Sequence, residues 1–159
     1  MAYDLRDNAI LHAHHGQQLM DLRRYREAVE EYKNAIFLNP GTSMTASLYN
    51  DLGVAYLRAG QPELAIASFQ HACRLQPGYA VFYQNLINVY RATDKLVLAK
   101  QDLLGIVHEN PDDAEAWFML GLIAKAQGRI PEATTYFKNY LRLEPNSELS
   151  KVARSSAGQ

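Results

Sequence analysis

Apolar and small residues recur along this chain at intervals of three and four, the spacing that places side chains on one face of an α-helix. The stretch from Ala46 to Pro77 shows this pattern most clearly. Its patterned positions are Tyr49, Leu52, Tyr56, Ala65, Phe69 and Ala72. Gly60 interrupts the pattern, and Pro62 suits the first turn of a second helix. The stretch therefore predicts two helices joined by a short turn, with their apolar faces packed together.

The same pattern occurs four times, and each copy ends in a proline. The closing residues are Pro40, Pro77, Pro111 and Pro145. The second and third intervals between them are 34 residues, and the first is 37 because Gly41 to Thr45 lengthens one loop. A single pair of helices cannot bury its apolar face alone, so the pattern predicts helix pairs that stack on their neighbours.

The first helix of each copy has a position where two helix backbones must come close. Glycine fills it in three copies, as Gly16, Gly53 and Gly121. The third copy has Ile87 at this position. Elsewhere His12 and His15 replace larger apolar residues, and Ala124 replaces a tyrosine. These departures concern local packing and leave the architecture unchanged.

Together these positions resemble the tetratricopeptide repeat (TPR) family over roughly residues 6 to 145. The resemblance implies an all-α fold: a right-handed α-solenoid, or superhelix, of four TPR helix-turn-helix units plus a C-terminal capping helix. It implies a single TPR domain over residues 1–159, with repeats at about 9–42, 46–79, 80–113 and 114–147 and a C-terminal helix at about 146–155. The expected helix pairs are 6–22 with 25–38, 44–59 with 62–75, 79–92 with 96–109, and 113–127 with 130–143.

Composition places the chain among ordinary soluble domains. Its 159 residues are 48% hydrophobic and 21% charged, and the formal net charge is −1. A nearly neutral chain gives no electrostatic reason to expect nucleic acid or an acidic membrane surface as a partner. The single cysteine, Cys73, excludes an internal disulfide. No apolar run has the length of a membrane span, and residues 1–8 show no signal peptide. We therefore expect a cytoplasmic protein without membrane insertion.

The chain shows no catalytic constellation, so we expect neither an enzyme nor a bound cofactor. It has no glycine-rich phosphate loop, no paired Cys-x-x-Cys and no nucleophile elbow. His12 and His15 share one helix face, but a zinc site needs three or four convergent ligands. The favoured interpretation is that these two residues fill core positions while His14 faces solvent. Metal binding is the alternative.

An aromatic stripe on the first helices has two interpretations. Its members are Tyr49, Tyr56, Tyr83, Tyr90 and Trp117. One interpretation is a platform on which nucleic-acid bases stack. The other is core packing, which is favoured because these residues occupy inward repeat positions and no basic patch accompanies them.

Residues that the repeat pattern does not require are the candidates for function. In the TPR family the first helices line a concave groove, and the resemblance places Asp21 and Asp51 on it. The predicted partner-binding residues on this groove are Gln17, Asn50, Val54, Arg58, Gln84, Asn85, Asn88, Arg91, Phe118, Met119, Leu122 and Lys125. Five of these residues carry a side-chain amide, which can pair with the N–H and C=O groups of an extended peptide. They are Gln17, Asn50, Gln84, Asn85 and Asn88. The cations Arg58, Arg91 and Lys125 are expected to meet acidic side chains or a C-terminal carboxylate.

The fourth repeat adds an apolar cluster to the same predicted groove. Phe118, Met119 and Leu122 are expected on its wet inner surface, and clustered apolar side chains there usually mark a contact site. The alternative is that the chain's own C-terminal segment, residues 150–159, covers them. The Asn and Gln side chains also have an alternative interpretation, in which they are solvated surface residues that bind no partner.

The resemblance implies a non-catalytic protein–protein interaction module that binds a peptide segment of a partner protein in its concave groove. One alternative is a self-associating assembly scaffold, a homo-oligomer formed through the solenoid ends, which the apolar fourth repeat and the thin C-terminal cap motivate. Another is a chaperone for secreted subunits, which needs an apolar groove that repeats two and three lack. The carboxylate clamp that binds heat-shock protein tails is disfavoured, because Asn50 alone fits it. The positions that do not fit are Ala13, Gln17, Val81 and Asn85.

Overall fold

The computed structural model describes residues 5–39 and 43–158, and within these ranges the fold is all-α. The helices are α1 (Leu5–Asp21), α2 (Tyr25–Leu38), α3 (Ser43–Arg58), α4 (Pro62–Leu75), α5 (Ala80–Ala92), α6 (Leu96–Glu109), α7 (Ala114–Ala126), α8 (Ile130–Leu143) and α9 (Glu148–Ala157). Every predicted helix is present, and its bounds lie within two residues of those expected. Pro40 and the Gly41–Thr42 part of the predicted loop lie outside the described residues.

The chain divides into two compact units, Met1–Pro77 and Gly78–Gln159. The first unit contains α1–α4 and the second contains α5–α9. Inside each unit, the second helix of one pair packs on the first helix of the next: α2 on α3, α6 on α7 and α8 on α9. This stacking is the neighbour packing that the repeat pattern predicts. The expectation of one domain over residues 1–159 stays a prediction.

All four helix pairs reverse direction through the same turn. One residue in each turn has a left-handed backbone, with φ between 57° and 78°: Arg23, Gly60, Asp94 and Gly128. The following residue donates its N–H to a carbonyl oxygen in the last turn of the first helix, as Arg24 does to Leu19 at 2.8 Å. This bond closes the end of the helix locally. The turn therefore forms in every pair, whatever the packing of the two helices that it joins.

Glycine in the first helix lets an aromatic ring of the second helix lie against the first helix backbone. A Cβ atom added at Gly53 would stand 2.7 Å from the ring of Phe69, and one at Gly121 would stand 2.5 Å from Phe137. Gly16 has the same relationship with Tyr32, at 2.8 Å. Real Cβ atoms do not approach so closely, so the prediction of a small residue at this position is confirmed in three repeats.

The core of the first unit lies between α2 and α3, with α1 packed against it. Its buried members are Ala28, Val29, Tyr32, Ala35, Leu48, Leu52 and Ala55. Leu19 and Met20 of α1 pack on this cluster from one side. Phe69 of α4 is fully buried between its own helix and α3. Burial of such side chains contributes about 1.5–3 kcal/mol each, which is the main force holding the hairpins together.

The end of the second unit is capped by α9, as the sequence predicts. Leu149 and Ala153 are buried where α9 packs on α8. Ser150 is also buried, and its hydroxyl donates to the backbone carbonyl of Glu144 at 2.6 Å. Ser147 and Ser150 form a reciprocal capping box at the start of the helix. The cap is therefore joined to α8 by both apolar burial and hydrogen bonds.

The third helix pair departs from the other three. Helices α1 and α2, α3 and α4, and α7 and α8 lie closely side by side, whereas α5 and α6 touch only slightly. Helix α5 also contacts α7 and α9, in each case to a similarly small extent. The ring of Tyr83 on α5 meets the ring of Phe118 on α7 edge-on, with centroids 5.5 Å apart. The sequence predicts a helix pair here, and both helices form, but the pair does not close.

The histidines of α1 differ in part from expectation. His14 is exposed, as predicted, but His15 is exposed as well, so its assignment to the core is wrong. His12 is half-buried, and its Nδ1 lies 2.6 Å from a carboxylate oxygen of Glu31 on α2. In the described part of the chain no group of three or more metal-binding side chains converges. His12 thus links α1 to α2 through a hydrogen-bonding contact rather than through apolar packing.

Candidate partner-binding surfaces

The predicted apolar anchor on the fourth repeat is buried inside the second unit. Phe118 has no exposed surface, and Met119 and Leu122 retain 5% and 7%. The Phe118 ring packs against Phe137 and Tyr140 of α8, at centroid distances of 5.8 and 5.1 Å. The expectation that these three residues face solvent in a groove is therefore wrong.

The physical reason is that α7 is surrounded by other helices of its unit. Helices α5, α6, α8 and α9 all contact it. A helix that is apolar around its whole circumference is a buried helix, and α7 has no polar side chain between Glu115 and Lys125. The alternative of cover by the C-terminal segment is correct in part. Helix α9 contacts α7, and Lys125 donates a hydrogen bond to Ser156 at 3.1 Å. The Tyr83 ring of α5 supplies further cover over Phe118.

The polar residues predicted on the first unit do lie at its surface. Gln17 and Arg58 are exposed, while Asn50 and Val54 are half-buried. Gln17 donates its amide to Asp21 at 3.0 Å, one turn along α1. Asn50 makes a longer contact, 3.4 Å, with the carboxylate of its neighbour Asp51. We call the surface formed by these side chains of α1 and α3 the first-unit face; its residues are Gln17, Asp21, Asn50, Asp51, Val54 and Arg58.

Asp21 of α1 and Asp51 of α3 lie near the same tyrosine of α2, Tyr32. Burial raises the pKa of the Tyr32 hydroxyl to about 12, and the charges of Asp51 and then Asp21 add to that rise. Both carboxylates are therefore near the same tyrosine of α2. Burial also raises the pKa of Asp51 itself, although the hydrogen bond from Asn50 works in the opposite direction. A carboxylate held in a site that disfavours its charge gains most from a cationic partner.

The sequence placed Asp21 and Asp51 on the groove but gave them no role. The sequence contained a signal for them. Each aspartate occupies a predicted groove position and lies near an amide of its own helix, Asp21 near Gln17 and Asp51 beside Asn50. Sequence spacing puts them on one surface, but only the structure shows that both lie near Tyr32.

Arginines surround one end of the first-unit face. A surface cavity of about 370 Å³ lies at the turn between α1 and α2 and the C-terminal end of α3. Its lining residues are Arg23, Arg24, Tyr25, Arg26, Glu27, Arg58 and Ala59. Arg24 is engaged with Glu27 through a hydrogen bond of 2.7 Å. The guanidinium groups of Arg23, Arg26 and Arg58 make this end of the face electropositive, in contrast to the acidic centre.

The remaining predicted residues lie in the second unit, on α5 and α7. Gln84, Asn88 and Arg91 form an exposed stripe along α5. Gln84 donates to the side-chain oxygen of Asn88 at 3.2 Å, and Arg91 donates to the same oxygen at 3.3 Å. Asn85 is half-buried, and Lys125 is bonded to α9. A partner-binding role for these five residues stays a prediction.

Comparison with known sequences identifies the family. Sequence models of the tetratricopeptide repeat match residues 15–80 and residues 114–147. The chain belongs to the tetratricopeptide repeat family, and its all-α TPR fold is that of a protein–protein interaction module. The first match spans the first two repeats and the second spans the fourth. Residues 81–113, which form the third helix pair, lie between the matched ranges.

Relatives and solved structures agree with this assignment. The chloroplastic TPR domain-containing protein PYG7 of Arabidopsis thaliana is 43% identical over 54 residues, which are 34% of this chain and 18% of that protein. The chain thus spans less than a fifth of this curated relative. The crystal structure of MamA is 27% identical, covers 87% of this chain and 79% of its own, and has a TM-score of 0.54. The structure of YrrB, described as a TPR protein with an unusual peptide-binding site, is 24% identical with a TM-score of 0.53 and covers 94% of this chain and 74% of its own.

The helices give no sign of a membrane-spanning segment. Across residues 5–39 and 43–158, none of them combines the length and the apolar character that crossing a bilayer requires.

Proposed function

We propose that the first unit binds a peptide segment of a partner protein on the first-unit face. The observation that carries this proposal is Asp51, a half-buried carboxylate at the centre of that face whose pKa is raised by burial. A carboxylate with a raised pKa lowers the stability of the folded chain at neutral pH. A lysine or arginine of the partner that pairs with Asp51 and Asp21 would supply the missing positive charge.

The backbone of the partner is recognised by the amides beside these carboxylates. Gln17 is exposed and its hydrogen bond to Asp21 stays within α1. That bond joins no two helices, so Gln17 can exchange it for a peptide carbonyl without loosening the fold. A side-chain amide offers both a donor and an acceptor, which matches the unpaired groups of an extended chain.

The arginine-lined cavity selects an acidic group on the same segment. Arg58 lies at one end of α3 and Asp51 lies seven residues earlier on the same helix. At a rise of about 1.5 Å per residue, their Cα atoms are separated by about 10 Å along the helix axis. A segment in the polyproline II conformation rises about 3.1 Å per residue and repeats its side-chain direction every three residues. The favoured ligand therefore has a basic residue and an acidic residue three positions apart, or a terminal carboxylate in place of the acidic one.

Two comparisons support a peptide ligand in general terms. TPR proteins act as interaction modules, and YrrB, which shares the fold, is described as having a peptide-binding site. The apolar anchor on the fourth repeat takes no part in this proposal, because those side chains are buried. Its burial also removes the exposed apolar surface of the fourth repeat that motivated self-association through the solenoid ends.

The test is titration of a labelled peptide that carries lysine and aspartate three positions apart, followed by fluorescence anisotropy. We expect a dissociation constant on the order of micromolar for so short a segment. Control peptides replace lysine with glutamine, replace aspartate with asparagine, or place the two charges side by side; each should bind about two- to fivefold more weakly. Equal affinity for all four peptides would contradict the proposed recognition.

A matched set of protein variants locates the binding surface. Asp51→Asn and Arg58→Gln should each weaken the parent peptide, because each removes one charge from the first-unit face. Asp102→Asn, at an exposed position of α6, removes the same charge elsewhere and should have no effect. Binding that is indifferent to the first two changes would place the peptide on another surface.

A further inference from the structure

The third helix pair leaves part of its apolar interface uncovered. In the other pairs, the second-helix position equivalent to Ile106 is buried, with exposures of 0% for Ala35, 0% for Ala72 and 3% for Tyr140. Ile106 is 42% exposed. Leu103, one turn earlier, is only half-buried, whereas its counterparts Tyr32, Phe69 and Phe137 are fully buried. Helix α6 therefore keeps the face of a TPR second helix but lacks the first helix that covers it in the other repeats.

Helix α5 is the first helix of this pair, and it does not lie along α6 as the first helices of the other pairs lie along theirs. It contacts α7 and α9, and its Tyr83 ring lies edge-on to Phe118. One face of α5 is well buried, including Tyr83, Leu86 and Ile87. Those three residues are the ones that the repeat pattern directs toward α6. Of these, Tyr83 makes its ring contact with α7.

The backbone angle ψ at the start of the second helix differs between the open pair and the closed ones. The turn itself is unchanged, since Asp94 has the left-handed φ of 57° and Lys95 donates to Tyr90 at 2.8 Å, as Arg24 does to Leu19. The residue that begins the second helix differs. Its ψ angle is 60°, 66° and 67° in the closed pairs, at Arg24, Gln61 and Arg129, but 4° at Lys95. The N–H of Lys95 lies on the turn side of this bond, so its hydrogen bond to Tyr90 does not depend on the ψ angle of Lys95.

Side-chain sizes also distinguish the third pair from the other three. Ile87 occupies the place where a glycine admits an aromatic ring in the other repeats, and Leu103 occupies the place of that ring. In a closed pair these two side chains would meet, and their exchanged sizes would compensate only in part. We therefore expect closure of the third pair to be less favourable than closure of the other pairs.

We propose that Lys95 is a hinge and that the third helix pair alternates between the open arrangement and a closed one. In the closed arrangement α5 covers Leu103 and Ile106 of α6, and Tyr83 withdraws from Phe118. The inner side of α7 is then uncovered. Helix α5 is thus a movable cover for the fourth repeat, with two packing positions built from one apolar face.

Spin labels on α5 and α6 test this directly. The sites are Gln84→Cys and Gln101→Cys, both exposed, in a Cys73→Ala background, and double electron–electron resonance gives their distance distribution. We expect two populations, with the longer distance from the open pair. The combined change Ile87→Gly and Leu103→Phe restores the residues of the other repeats and should shift the distribution toward the shorter distance. Asn88→Gly, which places glycine at an exposed position of α5, should leave it unchanged.

A chemical readout covers the case in which the restored variant folds poorly. The pair Ile87→Cys and Leu103→Cys, in the same background, can be joined by a short bis-maleimide only while α5 lies against α6. Crosslinking of the folded chain, at a rate independent of protein concentration, supports the hinge. A single long distance together with no crosslink would overturn it, as would a distribution that Asn88→Gly shifts as much as the restored pair does.

Discussion

The ring of Phe118 meets the ring of Tyr83 edge-on, at an interplanar angle of 80°. This contact joins α7 to a helix that the repeat register assigns to a different partner. Edge-to-face pairs contribute about 0.5–1.5 kcal/mol beyond the area that they bury. The contact between Tyr83 and Phe118 therefore stabilises the observed position of α5. It also contributes to the burial of Phe118, which the sequence predicted at a binding surface.

The burial of Phe118 leads to a clear expectation for its removal. Phe118→Ala should lower the free energy of unfolding by about 3–5 kcal/mol, because it leaves a cavity among Tyr83, Phe137 and Tyr140. Urea unfolding followed by circular dichroism measures the change. Val81→Ala is the matched control, since Val81 is 57% exposed and its truncation should matter little. A stability loss no larger than that of the control would mean that Phe118 is at the surface after all.

Glycine 53 offers a test of the close approach between helices. In Gly53→Ala the new methyl group would meet the Phe69 ring, so we expect a loss of about 1–3 kcal/mol despite the better helix propensity of alanine. Gly105→Ala is the paired control, because no atom lies within 4 Å of a Cβ built there. That change should stabilise α6 by up to about 1 kcal/mol. Thermal unfolding of both variants should therefore give opposite signs, and equal signs would contradict the packing described.

Asp51 should reduce stability at neutral pH while contributing to binding. Its folded-state pKa is raised, so in the pH range just above the unfolded value of about 3.9 the native state holds the proton more tightly than the unfolded chain. Stability then falls as pH rises through this range. Asp51→Asn should accordingly raise the melting temperature at pH 7 and lose that advantage at pH 3, where both states are protonated.

Asp21→Asn is the control for this titration, because Asp21 is an exposed residue of the same face. It should leave the melting temperature nearly unchanged at both pH values. A melting temperature of Asp51→Asn that is lower than that of the parent at pH 7 would show that the carboxylate is structural. A stabilised variant that binds peptide less well is the pattern expected of a residue kept for function.

Much of the fold was predictable because it is local and repeated. Four closing prolines, at intervals of 37, 34 and 34 residues, fix the repeat boundaries, and the glycine positions locate the close contacts. The departure at Ile87 marked the one pair that packs differently. The consequence was not predictable, because the position of α5 depends on a backbone angle at Lys95 and on packing between helices distant in the sequence.

The candidate site was predictable only in part, for a related reason. Repeat register tells which side of a first helix faces inward, and Gln17 and Arg58 on that side are exposed, while Asn50 is half-buried. It cannot tell whether another helix occupies that inner side, which is why Phe118 was assigned to solvent. The importance of Asp51 likewise comes from its partial burial near Tyr32, a property of the packed unit rather than of the residue's place in the repeat.

The most direct test of peptide recognition is a double-mutant cycle between Asp51→Asn and the lysine-to-glutamine peptide. Four dissociation constants give the coupling free energy between the two charges. If the lysine pairs with Asp51, each single change should weaken binding, the second should add little to the first, and the coupling should be about 1 kcal/mol or more. Effects that simply add, with no coupling, would contradict the proposed contact between the first-unit face and a basic residue of the partner.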